Sequence, residues 1–167
     1  MPIAPRHSKS YTIVPLDEHL AEQLCSWQYE PPYNFYNWTD WPQMQKNGRE
    51  FGDPAIRAHQ YAAVLDAEGA FVGFAQFFPL LGVTRLGLGM RPDLCGQKNG
   101  LPFLQAIVQE ARRRAPKDEI DLEVHTWNYR AIRAYEKAGF RITDTYERPV
   151  GHGTEQVHCM VYTLDNL

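Results

Sequence analysis

The stretch from Val83 to Leu104 constrains this 167-residue chain most. Val83 to Met90 reads as a strand, yet Gly87 and Gly89 interrupt it and Pro92 closes it. Glycine gives a strand nothing to pack, so two alternating glycines mark a bulge or the close approach of another backbone or a ligand. The loop behind it carries Gly96 and Gly100 and opens a helix to Ala115. Leu101, Leu104, Ile107, Val108, Ala111 and Ala115 fall at helical spacing. Pro102 fits the first turn, where its missing N–H would have had no partner. Free N–H groups at a helix N-terminus attract anions. The unit therefore has the parts to hold a pyrophosphate, and equally those of an ordinary glycine-containing turn.

The rest of the chain supplies elements around this unit. Tyr11–Val14 is a short strand, and Asp17 is placed to cap a helix over 17–27 with Leu16, Leu20, Leu24 and Trp27 in register. Pro31 and Pro32 stop that helix. Seven aromatics from Trp27 to Trp41 follow without helical or strand period, so this segment is a loop or short helix over something apolar. Runs at 60–66 and 70–78, separated by Asp66-Ala67-Glu68-Gly69, form a hairpin. A strand at 120–124, a helix at 128–138 and strands near 141–146 and 156–164 complete the chain. The order predicts an α/β (α+β) domain: a mixed, largely antiparallel sheet of about seven strands with flanking helices.

Size and composition exclude several classes. The length suits one domain, 1–167, with 1–9 as a flexible arm. At 44% hydrophobic and 22% charged the chain is not disordered, collagenous or a coiled coil. No apolar run approaches a membrane span, and the N-terminus lacks a signal's apolar region. Three cysteines (Cys25, Cys95, Cys159) form no CxxC pair, and the six histidines form no i, i+4 pair, so no metal is expected and a reduced, cytoplasmic protein is. A net charge of −3 argues against nucleic acid as a partner. The Arg112-Arg113-Arg114 run falls where cations complement a helix C-terminus.

Two further segments carry side chains suited to chemistry. Alternation along Ile120–His125 sets Asp121, Glu123 and His125 on one face, which is either solvated or the wall of a cleft. Asn128 to Phe140 is a short capped helix: Asn128 as N-cap, Gly139 just past its end, Phe140 as the closing apolar contact.

Asn-x-x-Ala-x-x-x-Tyr-Glu-Lys-x-Gly-Phe over 128–140 resembles the late motif of the GCN5-related N-acetyltransferases (GNAT superfamily). The glycine-rich strand-loop-helix before it resembles that family's acetyl-CoA-binding segment, and the likeness covers roughly residues 10–165. The resemblance implies an acetyl-CoA cosubstrate whose pantetheine arm lies between splayed strands 4 and 5, against a bulged strand at Leu88, Gly89 and Met90. It implies pyrophosphate binding by Cys95, Gly96, Gln97, Lys98, Asn99 and Gly100, with Asn128 also bonding the arm. Cys95 stands where the family has Gln or Arg, and Lys98 where it has Gly. Lys98 is then either strained at positive φ or brings its ammonium to the phosphates.

The implied reaction is direct attack of a primary amine on the thioester in a ternary complex. A backbone N–H near Leu88 polarises the carbonyl, Tyr135 protonates the sulfur, and Glu123 is the base. The Leu-Glu-Val strand is similar to one in ribosomal-protein N-terminal acetyltransferases; His125 or a water relay are the alternatives. The acceptor, a small-molecule or peptide amine, would meet Trp27, Tyr29, Tyr33 and Tyr36 and the 149–156 loop, with Glu30 and Asp40 adding negative charge. A homodimer is compatible with this scheme. Two other readings stand beside it: a degenerate relative that binds CoA or acyl-CoA as a regulatory module, and a partner-binding domain without cofactor.

Overall fold

The structure is a computed structural model that describes residues 10–164; the arm expected over 1–9 lies outside them. Seven strands form one sheet: β1 (Thr12–Pro15), β2 (Tyr61–Leu65), β3 (Phe71–Leu80), β4 (Val83–Met90), β5 (Glu119–His125), β6 (Phe140–Val150) and β7 (Gly153–Tyr162). Their order is β1-β2-β3-β4-β5-β7-β6. Every neighbouring pair is antiparallel except β4 and β5. The helix α4 (Gly100–Arg114) makes the crossover that a parallel pair requires.

Period-two alternation splits the core into two layers. In β2, Ala62 and Val64 face Phe103, Leu104 and Ile107 of α4 and Ile132 of α5 (Tyr129–Ala138). Tyr61 and Ala63 face the other way, against Leu24 of α1 (Glu18–Cys25), Met44 of α2 (Trp41–Asn47) and Phe51. Each fully buried Phe or Leu contributes about 1.5–3 kcal/mol of transfer free energy.

Asp17 caps α1 as expected, accepting from the Leu20 N–H at 2.8 Å. Two helices go beyond the sequence reading: α2, and α3 (Pro54–Gln60). Both start with an Asp whose carboxylate accepts first-turn N–H groups, Asp40 from Gln43 and Asp53 from Ala55 and Ile56. A proline sits at the first or second helical position of each. These are helix-start signals, masked by aromatic density before α2 and by an expected strand at Gln60. β6 and β7 are also longer than expected. The arginine run finishes α4: Arg113 and Arg114 pair with Glu110, and Arg112 donates to the Asp118 carbonyl.

Candidate active site

The parallel β4–β5 ladder runs only from Val83↔Glu119 to Leu86↔Leu122. Beyond it β4 stays on β3 through Met90, and β5 stays on β7 through His125. The two strands therefore part at Gly87, and a gap opens in mid-sheet. No bulge accompanies it, contrary to expectation: β4 holds one register against β3 from Val83 to Met90. The glycines serve close approach instead. A Cβ on Gly89 would stand 2.5 Å from Phe74 Cε1, inside that ring's contact distance.

Backbone direction follows from alternation. Arg91 N–H donates to the Val72 carbonyl at 2.8 Å, while the Met90 carbonyl accepts from the Tyr29 hydroxyl at 2.7 Å. Met90 thus turns its carbonyl away from β3. Leu88, two residues back, turns its N–H and C=O the same way, into the gap.

A cleft of about 530 Å³ occupies this gap. Leu88, Gly89 and Met90 form one wall and Glu123, Val124 and His125 the other. Asn128, Ala131 and Tyr135 of the α5 segment close the bottom, and Tyr29, Tyr33, Phe35 and Tyr36 the top. Asn128 caps α5 by accepting from Ala131 N–H at 3.2 Å, and its Nδ2 donates to the Tyr36 hydroxyl at 3.2 Å. Burial, and after it the Tyr36 phenol, push the Tyr135 phenol up, so it stays protonated through neutral pH.

A second cleft of about 820 Å³ shares Leu88, Met90, Cys95, Arg130 and Tyr135 with the first. Gly96, Lys98, Asn99 and Gly100 line it at the α4 N-terminus, opposite Arg133 and Lys137 of α5. Converging cations and helix N–H groups make this half suited to phosphates. Lys98 lies at φ 60° and still lines this cleft, so the two alternatives coexist: a left-handed L-residue costs about 1–2 kcal/mol, and its side chain stands among the other cations. Cys95 lines both clefts; burial pushes its thiol up, and Sγ donates toward the Met90 and Arg91 carbonyls at 3.6 and 3.7 Å. Gln97 lines neither cleft, because its amide bonds the Asp93 carbonyl.

Of the face bearing Asp121, Glu123 and His125, the last two line the cleft and the first is buried under the β4–β5 ladder. Asp121 is buried and paired with Arg85 through two bonds of 2.9 and 3.0 Å. Glu123 Oε1 pairs with Arg148 at 2.8 Å and Arg85 at 3.4 Å, and Oε2 accepts from the Tyr146 hydroxyl. His125 packs among Phe35, Tyr36 and Trp127, with centroids 4.9, 5.8 and 5.6 Å away.

Of the aromatics expected at the acceptor, Tyr29, Tyr33 and Tyr36 line the cleft. Trp27 does not: its side chain is buried in the second core, 4.7 Å from the Phe71 ring. Glu30 and Asp40 do not line the cleft either, Asp40 being spent on the α2 cap. The sequence reading missed Arg85, Arg148 and Tyr146. They meet Glu123 through the parallel register Arg85↔Asp121 and the hairpin register Tyr146↔Val157, which no local signal in the sequence gives.

The sequence model described as the acetyltransferase (GNAT) family matches residues 16–140. Among solved structures, AAC(6')-Ib in complex with ribostamycin and coenzyme A superposes with a TM-score of 0.71 at 23% identity, over 93% of this chain and 94% of that one. A spermidine N-acetyltransferase SpeG chimera from Vibrio cholerae and hSSAT gives 0.68 at 14% identity, over 92% and 95%. A ribosomal-protein alanine N-acetyltransferase from Escherichia coli gives 0.60 at 20%, over 94% and 98%.

Proposed function

This chain belongs to the acetyltransferase (GNAT) family, and from that premise we propose that it moves an acetyl group from acetyl-CoA to a primary amine by direct attack in a ternary complex. One observation carries the reading: the mid-sheet gap, where the Leu88 N–H and the protonated Tyr135 share a cleft continuous with the cationic recess at the α4 N-terminus. The similar structures solved with coenzyme A or acetyl-CoA support the choice of cosubstrate.

In this reading the recess formed by Gly96, Lys98, Asn99, Gly100, Arg130, Arg133 and Lys137 takes the phosphates. The pantetheine amides pair with the gap-facing groups of Leu88 and with Asn128, whose Nδ2 exchanges Tyr36 for the ligand. The Leu88 N–H donates to the thioester oxygen as it gains charge. Tyr135 gives its proton to the departing sulfur. Glu123 and Arg148 line the wall opposite, with Arg85 and Tyr146 holding the Glu123 carboxylate from behind. The amine enters beneath Tyr33, Phe35 and Tyr36. The spermidine and aminoglycoside named for the similar structures are polycations. Among the described residues, Glu123 is the one carboxylate lining the cleft and it already pairs with two guanidiniums, which disfavours an acceptor of that kind.

Thermal unfolding with acetyl-CoA tests the premise. At 100 times the Kd, binding adds about 2.7 kcal/mol, or roughly 5–10 °C for a domain of this size. A shift followed by turnover on an amine panel supports the reading. A shift without turnover favours the regulatory CoA-binding module, which the Cys95 and Lys98 departures invite. No shift at millimolar acetyl-CoA favours a domain without cofactor.

A further inference from the structure

We propose that His125, rather than Glu123, takes the proton from the attacking amine. The inference rests on the acetyltransferase reading and names the group that reading leaves open. Glu123 faces the cleft with both oxygens engaged, by Arg148 and Arg85 on one side and Tyr146 on the other. Three donors are thus arranged around this one carboxylate. His125 is the neighbouring cleft residue two positions along the same strand face, and its ring is not bound in this way. Its Nδ1 is sealed from solvent with no hydrogen-bond partner among the described residues. A buried polar atom without a partner is rare and calls for an explanation.

The surroundings supply one. With Nδ1 enclosed, Nε2 is the nitrogen left to meet a ligand in the cleft. The nearest acid to Nδ1 is Glu155 on β7, whose Oε2 lies 4.0 Å away, past hydrogen-bond range. The other charges facing the ring are Glu123 on its own strand and Arg148 on β6, with the Tyr36 phenol above it. Burial leads these effects and holds the imidazole neutral at and below its ordinary pKa, so a lone pair is present at pH 7. The rings of Phe35, Tyr36 and Trp127 then attract the imidazolium that forms for an instant. A modest shift of Glu155 would let Nδ1–H find its carboxylate at that moment.

The protons balance. A neutral amine attacks the thioester carbon, and its nitrogen becomes cationic as the N–C bond forms. Nε2 takes one proton from that nitrogen. The C–S bond then breaks, and sulfur takes the Tyr135 proton. The imidazolium loses its proton to solvent and the phenolate regains one, leaving amide and CoA thiol.

The test uses wild type, His125→Gln, His125→Ala and Glu123→Gln. Tyramine, spermidine and an alanine-terminated peptide are the acceptors, with CoA thiol release followed from about pH 5.5 to 9. In wild type, kcat/KM expressed per concentration of free-base amine falls on the acid side with an apparent pKa below about 6.5. Both His125 variants lose about 10²-fold or more together with that acid limb, and keep the acetyl-CoA thermal shift. Imidazole partly restores His125→Ala. Glu123→Gln retains the limb. Carbethoxylation by diethylpyrocarbonate gives a second readout that needs no acceptor: His125 in wild type reacts as a neutral nitrogen.

A His125→Gln enzyme with the wild-type rate and limb overturns the proposal. So does loss of the limb in Glu123→Gln alone, or an unreactive His125. If wild type binds acetyl-CoA, modifies at His125 and turns over none of the amines, the acetyltransferase reading itself falls.

Discussion

Replacing Tyr135 with Phe separates chemistry from folding in one substitution. The ring packs edge-on to Phe140, centroids 6.0 Å apart, and Phe preserves that contact. No described residue hydrogen-bonds the Tyr135 hydroxyl, so its removal strands no partner in the interior. Stability should then change by no more than about 0.5 kcal/mol, or about 2 °C in Tm. Catalysis should respond quite differently. General-acid assistance is worth about 10²–10⁴ in rate, which is roughly 2.7–5.4 kcal/mol of barrier at 1.36 kcal/mol per decade. The assay is single-turnover acetyl transfer at saturating acetyl-CoA, so that slow product release does not hide the chemical step. Because the phenol's pKa is raised, the wild-type rate should show no loss from Tyr135 ionisation up to about pH 9. A Tyr135→Phe protein that folds, binds acetyl-CoA and transfers acetyl within threefold of wild type would refute the assignment.

Four other outcomes are expected. Gly89→Ala sets a methyl against the Phe74 ring and should cost about 1–3 kcal/mol in urea or thermal unfolding. Lys98→Gly relieves the φ of 60° and should raise stability by about 1 kcal/mol, while acetyl-CoA affinity, read by calorimetry, falls through the lost cation. Asp121→Ala removes two charged hydrogen bonds from Arg85, which keeps Glu123, and should cost about 1–3 kcal/mol; an unchanged Tm would mean the pair is freely solvated. The His125 pKa is lower in the folded chain, so below about pH 6.5 the unfolded chain binds the extra proton and stability falls with pH. Tm measured at about pH 7.5 and 5.5 should drop less in His125→Gln than in wild type.

The sequence revealed best what is local. Asn128, Gly139 and the apolar face between them specify α5 within a dozen residues, and Asp17 does the same for α1. The shared face of Asp121, Glu123 and His125 was legible because strand alternation is local too. What it hid depends on register between distant strands. Nothing near Glu123 announces that Arg85, Tyr146 and Arg148 will converge on it, because a parallel pairing and a hairpin register decide that. Trp27 was misplaced for a related reason: an aromatic in a run of aromatics carries no sign of which face it turns to. Lys98 was an intermediate case: its departure from a glycine position raised a left-handed backbone as one of two alternatives, and the structure has φ 60° there.

The parting of β4 and β5 also bears on how the chain survives in a crowded cell. A sheet normally has two outer edges, but this one gains a pair of inner ones, along Gly87–Met90 and Glu123–His125. Unsatisfied main-chain groups of that kind invite strand addition by other polypeptides. Tyr29 blunts the hazard at one point by occupying the Met90 carbonyl, and the aromatic segment overhead hinders access. An amide-bearing small molecule laid along the gap would finish the protection, acting as a borrowed rung of the ladder. Resistance to aggregation and to proteolysis would then rise when that molecule is bound. Aggregation half-time and protease resistance, compared with and without coenzyme A, would reveal the dependence.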